Sequence, residues 1–117
     1  MKIGIINQSF PHGSAAGRES LDAVLALSAF SEDIAVFFID DGVFQLLPDQ
    51  DPSKILQRNY LPTFGMLELY DIEQVYVCQQ SCEQRGIDPQ ALSITVEALT
   101  PTELAEHFAQ QQQLIRF

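Results

Sequence analysis

Val75-Tyr76-Val77-Cys78-Gln79 reads as the end of a buried β-strand that stops on a thiol. The run from Ile72 to Val77 is rich in β-branched and aromatic residues and follows the polar break Tyr70-Asp71. It shows no alternation of apolar and polar positions, which suits a parallel strand covered on both faces. In open parallel sheets, ligands and chemistry collect where strands hand over to helices at their carboxyl ends. Cys78 stands at such a handover, because Gln79 to Arg85 has helical character and stops at Gly86. The first helical turn offers unpaired N–H groups and the positive end of the helix dipole, both favourable to a thiolate. Free cysteine is also among the most buried residue types, so a small apolar residue closing a core strand is the competing reading.

The composition narrows what surrounds that strand. The 117 residues provide for one domain with a single core, residues 1–117, and nothing marks an internal boundary. A hydrophobic content of 46% against 19% charged residues describes a folded globular chain. Eight Phe and three Tyr beside so few charges suggest apolar surface left over for an oligomeric interface. The formal charge of −10, from 16 acidic and six basic residues, argues against direct nucleic-acid binding, which needs a basic face. Cys78 and Cys82 are too few and too close for a disulfide scaffold, and with His12 and His107 remote they do not form a zinc set. With no signal peptide and no apolar run near membrane-spanning length, the expectation is a cytoplasmic protein with reduced thiols, no membrane contact, no metal and no cofactor.

Outward from the central strand, the pattern alternates. Lys2 to Asn7 is an apolar first strand, followed by the loop Gln8 to Gly13. Ser14 is a plausible N-cap for a helix over Ala15 to Phe30, whose Leu21, Val24, Leu25 and Ser28 form one stripe. Ile34 to Ile39 is a second strand, ended by Asp40-Asp41-Gly42, and Val43 to Leu47 is short enough for a single helical turn. Lys54 to Tyr70 is a second helix interrupted by Pro62, apolar almost all round. After the short helix and the turn Gly86-Ile87-Asp88-Pro89, Leu92 to Ala98 is read as a fourth strand. Thr100-Pro101-Thr102-Glu103 then places an N-cap, a proline at N1 and a capping-box glutamate. That helix runs to about Gln111, and Leu114 to Phe117 supplies a fifth strand. Strands alternating with helices give an α/β fold: a three-layer α/β/α sandwich with a mostly parallel five-stranded sheet.

Other candidate sites compete with Cys78. Gly13 and Gly17 follow the first strand but fit neither nucleotide-binding fingerprint. Arg18 early in the first helix opposes the dipole, so a partner carboxylate is expected near it. His12 is an acid–base candidate on the same sheet edge, set against an ordinary solvated loop histidine. Asp40 and Asp41 evoke a cation-binding receiver domain, but Cys78 and Arg116 stand where that fold wants aspartate and lysine, leaving a solvated turn as the alternative. Cys82 lies one helical turn past Cys78, within reach of a resolving role on a helix, although C-x-x-x-C is not the C-x-x-C of dithiol oxidoreductases.

Several segments together resemble the TusC (DsrF-like) subunits of the DsrE/DsrF/DsrH-like family. They are Pro11 to Ala23, Ala35 to Pro48 and Leu69 to Gln74, then Val77-Cys78, Arg85 to Pro89, and Ile115-Arg116-Phe117. The resemblance spans essentially the whole chain and implies a DsrE-like fold. It implies a place in a TusBCD heterohexamer, a dimer of heterotrimers with TusB and TusD homologues as partners. Such a complex takes persulfide sulfur from TusA and passes it to TusE for 2-thiolation of the tRNA wobble uridine. In that family the sulfur-carrying cysteine belongs to the D subunit, at the end of its third strand before a short helix ending in Arg-Gly. Cys78, with Arg85-Gly86 after it, occupies the equivalent location. C subunits are not regarded as the carriers, so the implied role is that of an assembly subunit, with Cys78 a candidate persulfide site. The alternative is a stand-alone persulfide sulfurtransferase or thiol reductase using Cys78. The apolar stretches Val43–Leu47 and Leu61–Leu69 are the expected contacts with the sister subunits.

Overall fold

The computed structural model describes residues 2–8, 16–28, 33–46, 72, 74–92 and 95–117, with residues 16–18 by backbone only. Five strands form one sheet: β1 (Ile3–Asn7), β2 (Ile34–Phe38), β3 (Gln74–Cys78), β4 (Glu97–Leu99) and β5 (Gln113–Arg116). Their order is β4-β3-β2-β1-β5, and every pairing is parallel. The helices among the described residues are α1 (Ala16–Leu27), α2 (Gln79–Gln84) and α3 (Pro101–Gln110), with 3-10 turns at Asp40–Leu46 and Pro89–Ala91.

The pleat sorts each central strand between two apolar layers. Ile3, Ile5, Val36, Phe38, Val75 and Val77 face a layer that also holds Leu21 and Val24 of α1 and Cys82 of α2. Ile6, Ala35, Phe37, Tyr76, Cys78 and Leu99 face the opposite layer, closed by Leu104 of α3. All five residues of both β1 and β2 are buried. Continuous burial explains why those runs showed no alternation: each face meets a helix. The architecture is the expected three-layer α/β sandwich.

Some boundaries moved. The first helix stops at Leu27, where the Ser28 hydroxyl donates to the Leu25 carbonyl at 2.7 Å, a local bond that competes with further helix. The fourth strand covers only Glu97–Leu99 and not Leu92 to Ala98. Its ladder with β3 runs from Tyr76↔Glu97 to Cys78↔Leu99, although β3 itself begins two residues earlier, at Gln74. The expected single turn at Val43 to Leu47 is a 3-10 helix that starts earlier, at Asp40. Its Val43 and Leu46 are fully buried in the chain's own core, so they are not subunit contacts. Among the described residues Leu114 is the exposed large hydrophobic side chain, at 44%. The expected helix Lys54 to Tyr70, with its apolar segment Leu61 to Leu69, lies outside the described residues, as do His12 and Ser14.

Candidate functional site

Cys78 is both the last residue of β3 and the N-cap of α2, with extended backbone at φ −76° and ψ 116°. Its Sγ accepts a hydrogen bond from the Ser81 N–H at 3.4 Å, the N3 position that an N-cap acceptor serves. The side chain is 7% exposed and lies in the α3-side layer with Tyr76 and Leu99. Above the same layer, Tyr76 stacks on Phe37 with ring centroids 5.3 Å apart, and His107 of α3 tilts over Tyr76 at 4.6 Å. Burial raises the Tyr76 phenol above its ordinary range, and the carboxylate of Glu97 adds to the effect.

The turn that follows Cys78 is fastened from a distant part of the chain. Ser81 is buried, and its Oγ accepts from the Asp40 N–H at 3.0 Å. Asp40 takes up φ +49° to present that N–H, an uncommon conformation for a side-chain-bearing residue. Arg85 donates from Nη1 to the Ser81 carbonyl at 3.2 Å and pairs with Asp41 Oδ1 at 3.1 Å. Beyond Arg85, Gly86 ends the helix at φ +66°, the left-handed position that glycine fills without steric penalty. The 3-10 turn is in turn seated on β1: a Cβ on Gly42 would lie 2.0 Å from the Asn7 carbonyl oxygen, so only glycine fits.

Cys82 belongs to the other layer. It is fully buried among α1-side residues, whereas Cys78 joins the α3-side layer, so the two thiols pack in different layers. Burial, and next the neighbouring Cys78, push the Cys82 thiol up to about 11, with Arg85 opposing. A thiol so raised stays protonated near neutrality and is a poor resolving nucleophile.

The Asp40-Asp41 pair does not stand free in solvent as a simple turn: the Asp40 backbone holds Ser81, and the Asp41 carboxylate holds Arg85. Among the described residues no three His, Cys, Asp or Glu side chains gather as a metal ion would require. Sequence reading missed Ser81 and the Arg85 pairing. The first had a local signal, its place three residues after a strand-ending cap, but the second had none.

A thiol closing the third strand of a doubly covered parallel sheet, capped onto a short helix, defines a small α/β domain built around a strand-terminal cysteine. The chain belongs to the DsrE/DsrF-like family, which it matches over residues 1–117. It is 52% identical over 119 residues to Protein TusC of Escherichia coli O1:K1 / APEC, covering 99% of this chain and 98% of that protein. It is 48% identical over 116 residues to the Protein TusC homolog of Aliivibrio fischeri, with the same coverage of 99% and 98%. Among solved structures, the crystal structure of the ychN protein from E. coli aligns with a TM-score of 0.85 at 27% identity, covering 100% of this chain and 99% of that one. MTH1491 from Methanobacterium thermoautotrophicum shares the fold, with a TM-score of 0.69 at 15% identity and full coverage of both chains. No helix among the described residues is long and apolar enough to cross a membrane.

Proposed function

We propose that this chain is the C-type subunit of a cytoplasmic sulfur-relay complex of the TusBCD kind. In this reading it assembles with B and D homologues as a dimer of heterotrimers. The complex takes persulfide sulfur from TusA and passes it to TusE for 2-thiolation of the tRNA wobble uridine. The observation that carries the reading is similarity at about half of all positions, end to end, to proteins named TusC. The physical features are compatible with it. A chain of charge −10 is unsuited to holding tRNA itself, so only later members of a relay would need to do so. Cys78 is 7% exposed, which suits an assembly subunit better than the main sulfur carrier.

The test is the native mass of the chain co-expressed with its B and D homologues. A stable hetero-oligomer with the mass of a dimer of heterotrimers is expected. A chain that stays monomeric beside both partners would sink the proposal.

One observation favours a second reading, a persulfide transfer at Cys78: the sulfur ends a strand at the sheet's carboxyl edge with a backbone N–H directed at it. There the Cys78 thiolate would attack the sulfane sulfur of a donor persulfide, forming a new S–S bond as the donor thiolate leaves. Mass spectrometry after incubation with a persulfide donor, with Cys78→Ser as control, separates the two. No added sulfur on the intact chain is expected if its role is assembly, while a gain of one sulfur that vanishes in the variant supports transfer.

A further inference from the structure

We infer that the groove beside β4 is a docking site for an extended, lysine- or arginine-bearing segment of a partner protein. β4 is an edge strand of the sheet, and among the described residues it pairs with β3 alone. Outside that ladder, no backbone hydrogen bond among the described residues involves Glu97, Ala98 or Leu99. The backbone groups of this strand that face away from β3 are therefore unpaired among the described residues, as at sheet edges that accept an added strand. The strand is short and contains no proline that would block such pairing.

A groove of about 480 Å³ is lined by Val96, Glu97 and Ala98 of β4 and its approach, by Gln79 and Glu83 of α2, and by Asp88. Glu83, Asp88 and Glu97 are exposed, and among the described residues no basic side chain lines the groove. Glu83 accepts only from the Gln79 amide, and Asp88 from the Gln90 N–H. Among the described residues none of the three makes an ion pair; Arg85 on the same helix is committed to Asp41. The open backbone would give main-chain affinity without sign, and the carboxylates supply the sign. They select against acidic peptides and nucleic acid, and against a second copy of this chain, which carries −10 itself. An extended segment with cationic side chains is the occupant that satisfies both.

This inference concerns a surface and does not rest on Cys78 chemistry or on the sulfur-relay reading. Its test uses the full chain and a fluorescent, end-capped peptide of alternating valine and lysine, followed by anisotropy. Saturable binding is expected, with none for the valine–glutamate counterpart and a loss on N-methylation of alternate peptide bonds. The combined variant Glu83→Gln, Asp88→Asn, Glu97→Gln keeps the Asp88 cap in amide form and preserves the fold, to be verified by its melting curve. It should weaken binding roughly tenfold, about two- to threefold for each exposed charge pair. No saturable binding by the parent chain, or equal affinity in the variant, overturns the proposal. Self-association of the parent abolished by the variant also overturns it, because the occupant would then be a second copy. The native mass of the co-expressed complex reports separately on the sulfur-relay reading.

Discussion

The chain makes the same manoeuvre twice, and the two versions differ in what supports them. At β4–α3, Thr100 caps the helix with an oxygen: its Oγ1 accepts from the Glu103 N–H at 3.2 Å while Glu103 accepts from the Thr100 N–H at 3.0 Å. Both partners are exposed and three residues apart, so the junction is complete in itself. At β3–α2, Cys78 caps with a sulfur at 3.4 Å, a weaker acceptor in a buried place. That junction is finished by groups 41 and 44 residues away, the Asp40 N–H and the Asp41 carboxylate. The exposed handover is local and polar, while the buried one exchanges cap strength for apolar packing and borrows its rigidity from the loop after β2.

The largest break in this comparison should come from Gly42→Ala, which pushes the bracing 3-10 turn off the Asn7 carbonyl. A loss of about 3 kcal/mol in urea unfolding is expected, because backbone rather than a movable side chain is in the way. Thiol labelling of Cys78 should accelerate more than amide exchange in α3. Equal loosening of both junctions would show that the turn does not brace α2. Next comes alkaline pH. The Cys82 thiol ionises near 11 in the folded chain against 9.0 ordinarily, so the unfolded state sheds its proton first as pH rises. The stabilisation is therefore whole below about pH 9 and lost between about 9 and 11, amounting to at most about 3 kcal/mol. Tyr76, also raised, adds a loss in the same direction, so the check is the difference in alkaline melts between the parent and Cys82→Ala. Parallel pH profiles would remove the thiol from the account.

How far each junction could be read from sequence follows from the same contrast. The capping box was legible to the residue because all its signals lie within Thr100 to Glu103. Cys78 was legible as a strand end before a short helix, because Gln79 to Arg85 stops at a glycine that the left-handed backbone requires. The brace was not legible: nothing near Asp40 announces a partner at Ser81, and Asp-Asp-Gly looks the same whether solvated or engaged. The fourth strand was misplaced for a related reason. Thr95 and Val96 have strong strand propensity, yet neither joins the ladder even though β3 extends back to Gln74, so propensity alone does not decide pairing. The i, i+4 spacing put the two thiols one helical turn apart, whereas Cys78 ends the strand and packs with Tyr76 in the layer opposite Cys82.

A smaller effect should follow from Thr100→Ala. Removing an exposed oxygen cap lowers stability by about 1 kcal/mol, and Thr100→Ser should restore most of it. The bond to Thr100 holds the Glu103 carboxyl below the usual range, so its contribution is present above the ordinary carboxylate pKa and fades as pH falls through the lowered value. The Thr100 backbone N–H is the main cause and survives in Thr100→Ala, so the variant that removes this contribution is Glu103→Gln, whose difference from the parent should narrow in acid. A difference that does not depend on pH would mean that only the threonine side of the box matters.

The smallest expected effect probes the brace at its outermost point. Arg85 directs both Nε and Nη2 to a single oxygen of Asp41, at 3.1 Å each, and its side chain is 21% exposed against 53% for the aspartate. Two donors sharing one acceptor oxygen in a solvated setting resemble an ordinary surface pair, so a double-mutant cycle of Arg85→Gln and Asp41→Asn should give a coupling of about 0.5 kcal/mol that fades in high salt. Arg85 also donates to the Ser81 carbonyl, so Arg85→Gln alone should cost slightly more than Asp41→Asn alone. If the coupling instead exceeded about 1.5 kcal/mol and survived salt, the ion pair rather than the Asp40–Ser81 bond and the glycine seat would be what fastens α2. The buried junction would then be held from its exposed rim, and the contrast with the self-sufficient cap at Thr100 would rest on electrostatics instead of packing.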